Sequence, residues 1–145
     1  QVDDPEELHH LTQADPAIAD APPTERAALV AARVGQGRFR HELLARWDWR
    51  CAVTGCDVGA ALRASHCKPW SESSNQERLD PNNGLPLVAT LDALFDRGLI
   101  AFSESGCMLV SAQLTTEQRV TLGLARNARL RKRLTEAQRE YLRHH

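Results

Sequence analysis

Leu62-Arg63-Ala64-Ser65-His66-Cys67, then the turn-forming Asp80-Pro81-Asn82-Asn83-Gly84, then Leu85-Pro86-Leu87-Val88 running on to Asp92, Phe95-Asp96-Arg97 and Gly98: this stretch decides the fold. Its first six residues are short and mixed in polarity, as in a strand that ends at Ser65-His66. Residues 71–84 are polar and carry strong turn chemistry, so they read as a loop. Leu85–Val88 leads into a helix expected over about Ala89–Arg97, with Gly98 as its C-terminal stop. The order is strand, His66, loop, Asn83, and a helix bearing Asp92 and Asp96.

Outward from this centre, Cys51–Cys56 reads as a short segment closing in a turn, and 99–103 with 107–111 as a hairpin across Glu104-Ser105-Gly106. Upstream, Thr24 is a plausible cap for a helix over Glu25–Val34. Gly35-Gln36-Gly37 is expected to interrupt it before a second helix, about Arg38–Asp48, with Phe39, Leu43, Leu44 and Trp47 on one face. Downstream, the tail from Thr115 to Arg143 is expected to be helical and basic. Residues 1–24 hold four of the seven prolines and many acids, which predicts an acidic linker or arm. The remainder, 25–145, is expected to form one domain, with a core at about 49–111 and flanking helices at about 25–48 and 115–143.

The net charge of −1 hides an uneven distribution. Residues 1–25 sum to −7 and residues 116–145 to +5, so an acidic head masks a basic tail that can meet phosphate. No run of 18 or more apolar residues occurs, which predicts no membrane span. The N-terminus lacks the pattern of a secretory signal, and a cytoplasmic location is expected. The four cysteines, Cys51, Cys56, Cys67 and Cys107, are expected to be free thiols, since a chain of this size does not need disulfides to fold.

Hydrolysis of a phosphodiester with one metal needs a base for water, a cation for the phosphate and leaving oxygen, and something that orients the base. His66 suits the first task because imidazole titrates near neutral pH. Asn83 suits the third, by bridging loop backbone to the imidazole or by pinning the loop beneath it. Asp92 and Asp96 are one helical turn apart and together offer hard oxygen ligands. Each has a plainer reading when taken alone. His66 can be a structural histidine and Asn83 a turn residue before Gly84. Asp92 can answer the helix dipole, and Asp96 can pair with Arg97.

Taken together, the segments Gly35-Gln36-Gly37-Arg38-Phe39-Arg40, Cys51-Ala52-Val53-Thr54-Gly55, Ala64-Ser65-His66-Cys67-Lys68-Pro69-Trp70, Arg78–Leu85 and Leu91–Gly98 resemble the HNH endonuclease family. They resemble most the subgroup found in bacterial restriction-type enzymes. The resemblance implies an α+β fold with a ββα-metal core, here with flanking N- and C-terminal helices. It places His66 as general base, Asn83 at the middle asparagine, and Asp92 and Asp96 at helix positions that ligate metal. Ser65 stands where many members have a metal-binding Asp, and Asp92 where the third motif letter is usually His. These two departures shift the load to helix carboxylates and water and favour one Mg²⁺ or Mn²⁺ ion over Zn²⁺. A structural zinc is not expected, because no second cysteine pair stands at knuckle spacing.

DNA, held by its phosphate backbone, is the implied partner, with Arg63, Lys68 and Arg97 flanking the site and Arg129, Lys132 and Arg133 in the tail as its contacts. Trp70 reads as packing rather than as a base-stacking residue. The resemblance also implies a separate recognition domain, in some relatives a reader of modified bases. A homodimer is the other partner considered, and the sequence leaves open whether two copies must pair to cut both strands. Two other readings stay open: a DNA-binding module that keeps the fold without the chemistry, and a protein-interaction domain.

Overall fold

The computed structural model describes residues 21–145, so the expected acidic arm lies almost wholly outside the described residues. The elements are α1 (Pro23–Arg46), β1 (Leu62–His66), α2 (Asn75–Leu79), β2 (Gly84–Val88), α3 (Ala89–Asp96), β3 (Ile100–Phe102), β4 (Met108–Val110), α4 (Thr116–Thr121) and α5 (Glu136–Arg143). Among the described residues, no helix is long and apolar enough to cross a membrane.

The α+β expectation holds: β1 and β2 pair antiparallel and run straight into α3. The register sets Ser65 opposite Leu85 and His66 opposite Gly84. Both ends of α3 follow from local chemistry. Pro86 precedes it in an extended strand, where its missing N–H is tolerated. At its end Gly98 takes φ +70, Gly98 N–H donates to Phe95 O at 3.1 Å and Leu99 N–H to Leu94 O at 2.9 Å. These two bonds are the paired closure of a Schellman motif, which needs a left-handed residue and hence glycine.

The hairpin lies between two helices. α3 covers one face, and α1 the other, where Phe39, Leu43, Leu44 and Trp47 are buried at the helical spacing expected. Arg40 ties α1 to the start of β1 by donating to Leu62 O at 2.9 Å and Gly59 O at 3.0 Å. The core adds Leu62, Leu85, Leu87, Leu91, Phe95, Ile100 and Phe102.

Two expectations about flanking helices are corrected. Gly35-Gln36-Gly37 does not divide α1, which starts at Pro23 rather than after Thr24 and continues to Arg46. Each glycine costs about 1 kcal/mol in a helix interior, but Gly35 is where Leu79 packs: a Cβ there would stand 3.0 Å from Leu79 Cδ2. The tail is not one helix either. It holds only the short α4 and α5, and the segment between them is irregular, with Gly123 and Asn127 at positive φ. Its backbone is used elsewhere: Met108 N–H donates to Ala128 O, Leu130 N–H to Gly106 O and Arg131 N–H to Ala52 O. Ala52 N–H in turn donates to Pro86 O at 2.7 Å. Tertiary pairing and the burial of Leu130 and Leu134 outweigh the helix preference of this Ala-, Leu- and Arg-rich stretch.

Candidate active site

The site forms where β1 ends. Successive residues of a strand point to opposite faces, so Ser65 and His66 diverge. Ser65 turns toward α3, where its hydroxyl donates to Asp92 Oδ1 at 2.5 Å. His66 turns toward α1. Its imidazole lies flat on Phe39, with centroids 4.1 Å apart and planes 9° from parallel, and the edge of Trp70 closes a second side at 5.5 Å.

Gly84 makes this stack possible. It is the cross-strand partner of His66, and a Cβ there would lie 2.6 Å from Phe39 Cζ and 2.9 Å from Ser65 O. Only a residue without a side chain lets the Phe39 ring sit under the imidazole.

His66 Nε2 lies 2.8 Å from the carbonyl oxygen of Arg78. A carbonyl can only accept, so Nε2 carries the hydrogen of the neutral ring and the free lone pair is at Nδ1. Nδ1 has no partner among the described residues. Burial holds the pKa below the usual histidine value and the Arg78 charge adds to this, while the bond to the Arg78 carbonyl works in the opposite direction. The ring is therefore neutral and basic at neutral pH.

Asn83 does not touch the imidazole. It is fully buried, accepts from Lys68 N–H at 2.8 Å and donates to Glu77 O at 3.0 Å. Of the two roles weighed for it, the geometry matches pinning the loop. That loop is fixed in further ways. Ser74 and Glu77 form a reciprocal capping box on α2, and Arg78 donates twice to Trp70 O while its guanidinium lies over the Trp70 ring at 4.5 Å. These bonds fix the Arg78 carbonyl, and through it the His66 imidazole.

Asp92 sits in the first turn of α3, half-buried, and Asp96 is exposed in its last turn. Among the described residues, no three His, Cys, Asp or Glu side chains converge to hold a metal. The oxygens present are the Ser65 hydroxyl, the Asp92 carboxylate and, one turn on, Asp96. All are hard donors, and so few of them suit an ion such as Mg²⁺ that keeps most of its water. The four cysteines are free; Cys51 and Cys67 are buried, and burial pushes the Cys67 thiol up, as befits an inert core residue.

The cations expected to meet DNA fall into two groups. Lys68 is turned to Glu77 at 2.8 Å, a contact that holds the Glu77 carboxyl down at about 2. Arg63 bonds the carbonyls of Leu62 and of Ala60, in the turn that leads into β1, from an exposed position, and Arg97 is exposed at the cap of α3. Arg129, Lys132 and Arg133 line an open cleft of about 650 Å³ together with Arg131, Arg139, Glu104 and Ser105. Lys132 is drawn to the end of α1, to Asp48 at 3.0 Å and Arg46 O at 2.7 Å, and Arg46 in turn donates to Asn82 Oδ1 at 2.8 Å. The cleft thus adjoins the loop that carries Asn83.

Phe39, Gly84 and Arg78 shape the surroundings of the His66 imidazole, and sequence reasoning does not single them out as site residues. Phe39 looks like any core residue on a helical face, and the Arg78 contribution is a backbone carbonyl, which no residue pattern reveals.

No curated protein matches the chain. Residues 51–103 match a family model described as HNH endonuclease, HNH_2. That stretch opens at the Ala52 junction and closes at the end of β3, so it spans the whole hairpin, the pinned loop and the helix beneath them. Over residues 51–103, the segment that carries His66, Asn83 and Asp92, this chain is similar to the HNH endonuclease family.

Proposed function

We propose that the domain is a metal-dependent endonuclease that hydrolyses phosphodiester bonds in DNA, with His66 as general base. The observation that carries this reading is the bond from His66 Nε2–H to Arg78 O, which leaves Nδ1 as the acceptor. In this mechanism Nδ1 takes the proton of the attacking water, and Phe39 and Trp70 keep the ring neutral and oriented. Asn83 acts by holding the loop that supplies the Arg78 carbonyl. A divalent ion held by Asp92, with Ser65 and Asp96 as further oxygen donors, would neutralise charge on the phosphate and the leaving 3′ oxygen.

DNA is held in this proposal by phosphate contacts in the cleft of Arg129, Arg131, Lys132 and Arg133, with Arg63 and Arg97 nearer the hairpin. A role as the cleavage domain of a bacterial restriction enzyme, with recognition supplied by a separate domain, is the finer form of the reading. It rests on the residues shared with that subgroup.

The sparse ligand set favours a second reading, a DNA-binding module that has kept the HNH fold without the chemistry. Supercoiled plasmid incubated with the protein in Mg²⁺, in Mn²⁺ and in EDTA separates the two. Metal-dependent nicks with 5′-phosphate and 3′-hydroxyl ends are expected. Retention of DNA at low salt without cleavage in either metal would establish the second reading.

A further inference from the structure

Tyr141 lies on α5, beyond the segment that matches the family, yet its hydroxyl donates to Asp80 Oδ2 at 2.9 Å. We infer that Tyr141 is a positioning residue for the His66 base, acting from the C-terminal helix through Asp80 and the loop. The kinetic consequence rests on the nuclease reading above; the geometric claim does not.

Asp80 is the junction of the loop. Its Oδ1 accepts from Asn82 N–H at 2.9 Å and Asn82 Nδ2 at 3.0 Å, and its carbonyl accepts from Asn83 N–H at 2.9 Å. Asp80 therefore sits between Asn83 and Arg78, the residue whose carbonyl orients His66. With Oδ1 already shared, Oδ2 is the oxygen left for a link to the rest of the protein, and Tyr141 makes it. Burial, reinforced by Asp80, pushes the Tyr141 phenol up to about 12, so the hydroxyl keeps its proton and stays a donor across the working pH range.

A donor can position a loop only if it is itself held. α5 is anchored at several points. Arg143 pairs with Glu104 at 2.7 Å on the β3–β4 turn, and Gln138 is buried. The His145 ring lies on Phe95 of α3 at 3.8 Å, with Nε2 bonded to Phe95 O. The helix thus spans from the floor of α3 to the loop that carries the base. Glu77 and Glu140 add negative charge around the phenol and further favour its protonated form.

The test follows the full chain and its Tyr141→Phe variant by two readouts. In plasmid nicking, the variant is expected to fall about tenfold in kcat, with KM for DNA within about twofold, the pattern of a misplaced base rather than of weakened binding. In ¹⁵N-resolved NMR of the histidine rings, with His66 assigned from its disappearance in His66→Gln, the Nε2–H tautomer and titration midpoint of His66 are expected to shift. Should Tyr141→Phe fail to fold, Asp80→Asn perturbs the same link from the loop side and is read in the same two ways. Unchanged kcat together with an unchanged His66 titration overturns the inference, even if the melting temperature falls. If the wild-type chain cuts no DNA, the nuclease reading fails on its own, and the His66 spectra still decide the geometric claim.

Discussion

His66 and Arg78 are joined by a hydrogen bond from the imidazole Nε2–H to the Arg78 carbonyl, 2.8 Å long. This bond fixes the tautomer and leaves one nitrogen able to take a proton. Because the ring is half-buried against Phe39 and Trp70, its pKa lies below the usual histidine value. The acid limb of log kcat/KM against pH is therefore expected below pH 6.5. Phe39→Ala, which opens the ring to water, should move that limb upward. A limb already above 6.5 in the wild type would contradict the burial argument. The same shift links to stability. Between pH 6.5 and the lowered folded value the unfolded chain binds the extra proton, so stability falls as pH falls through that window. His66→Gln should flatten this part of the curve in denaturant titrations.

Gly84 faces the same stack from the partner strand. Gly84→Ala would push a methyl carbon to 2.6 Å from Phe39 Cζ and 2.9 Å from the Ser65 carbonyl. Overpacking of this kind costs about 1–3 kcal/mol, and here the displaced ring is the one stacked on His66. Chemical denaturation should show that destabilisation, and nicking should fall by more than stability alone explains. A variant as stable and as active as wild type would remove Gly84 from the account.

Ser65 and Asp92 are predicted to share the metal side of the site. Asp92→Ala should lower metal affinity, read by calorimetric titration with Mn²⁺, and reduce metal-dependent nicking. Ser65→Ala removes one hydrogen bond to the carboxylate, worth about 1.5–3 kcal/mol for a charged acceptor, and should weaken the ion less than Asp92→Ala. Unchanged Mn²⁺ binding in Asp92→Ala would take that residue off the ligand set.

The basic cleft predicts a strong salt dependence. Every phosphate left without its cationic side chain makes the slope of log K against log salt shallower by about 0.9. Arg131→Ala with Arg133→Ala removes two side chains from the cleft while leaving the Arg131 backbone bond to Ala52 in place. The double variant should bind duplex DNA with a slope shallower by about 1 to 2, equally across sequences. A slope identical to wild type would place the DNA elsewhere.

The centre of the fold is readable in the sequence because its signals are local. Turn chemistry at Asp80–Gly84, a short strand before it and a glycine stop after α3 each act within a few residues. The flanks are not readable where a distant partner decides the outcome. Gly35 continues a helix because Leu79 occupies the missing side chain's space, and Arg131 leaves a helix because Ala52 takes its N–H. The site divides in the same way. Side-chain chemistry points to His66, Asn83 and Asp92. It does not show that a backbone carbonyl orients the His66 imidazole, nor that Tyr141 reaches Asp80 across 61 residues of sequence.

One nitrogen decides the mechanism. Nicking of supercoiled plasmid in Mg²⁺ by His66→Ala, at a melting temperature showing the variant is folded, tests it most directly. Removal of a general base predicts a fall of about 10²- to 10⁴-fold. Cleavage by the folded variant at the wild-type rate would contradict it.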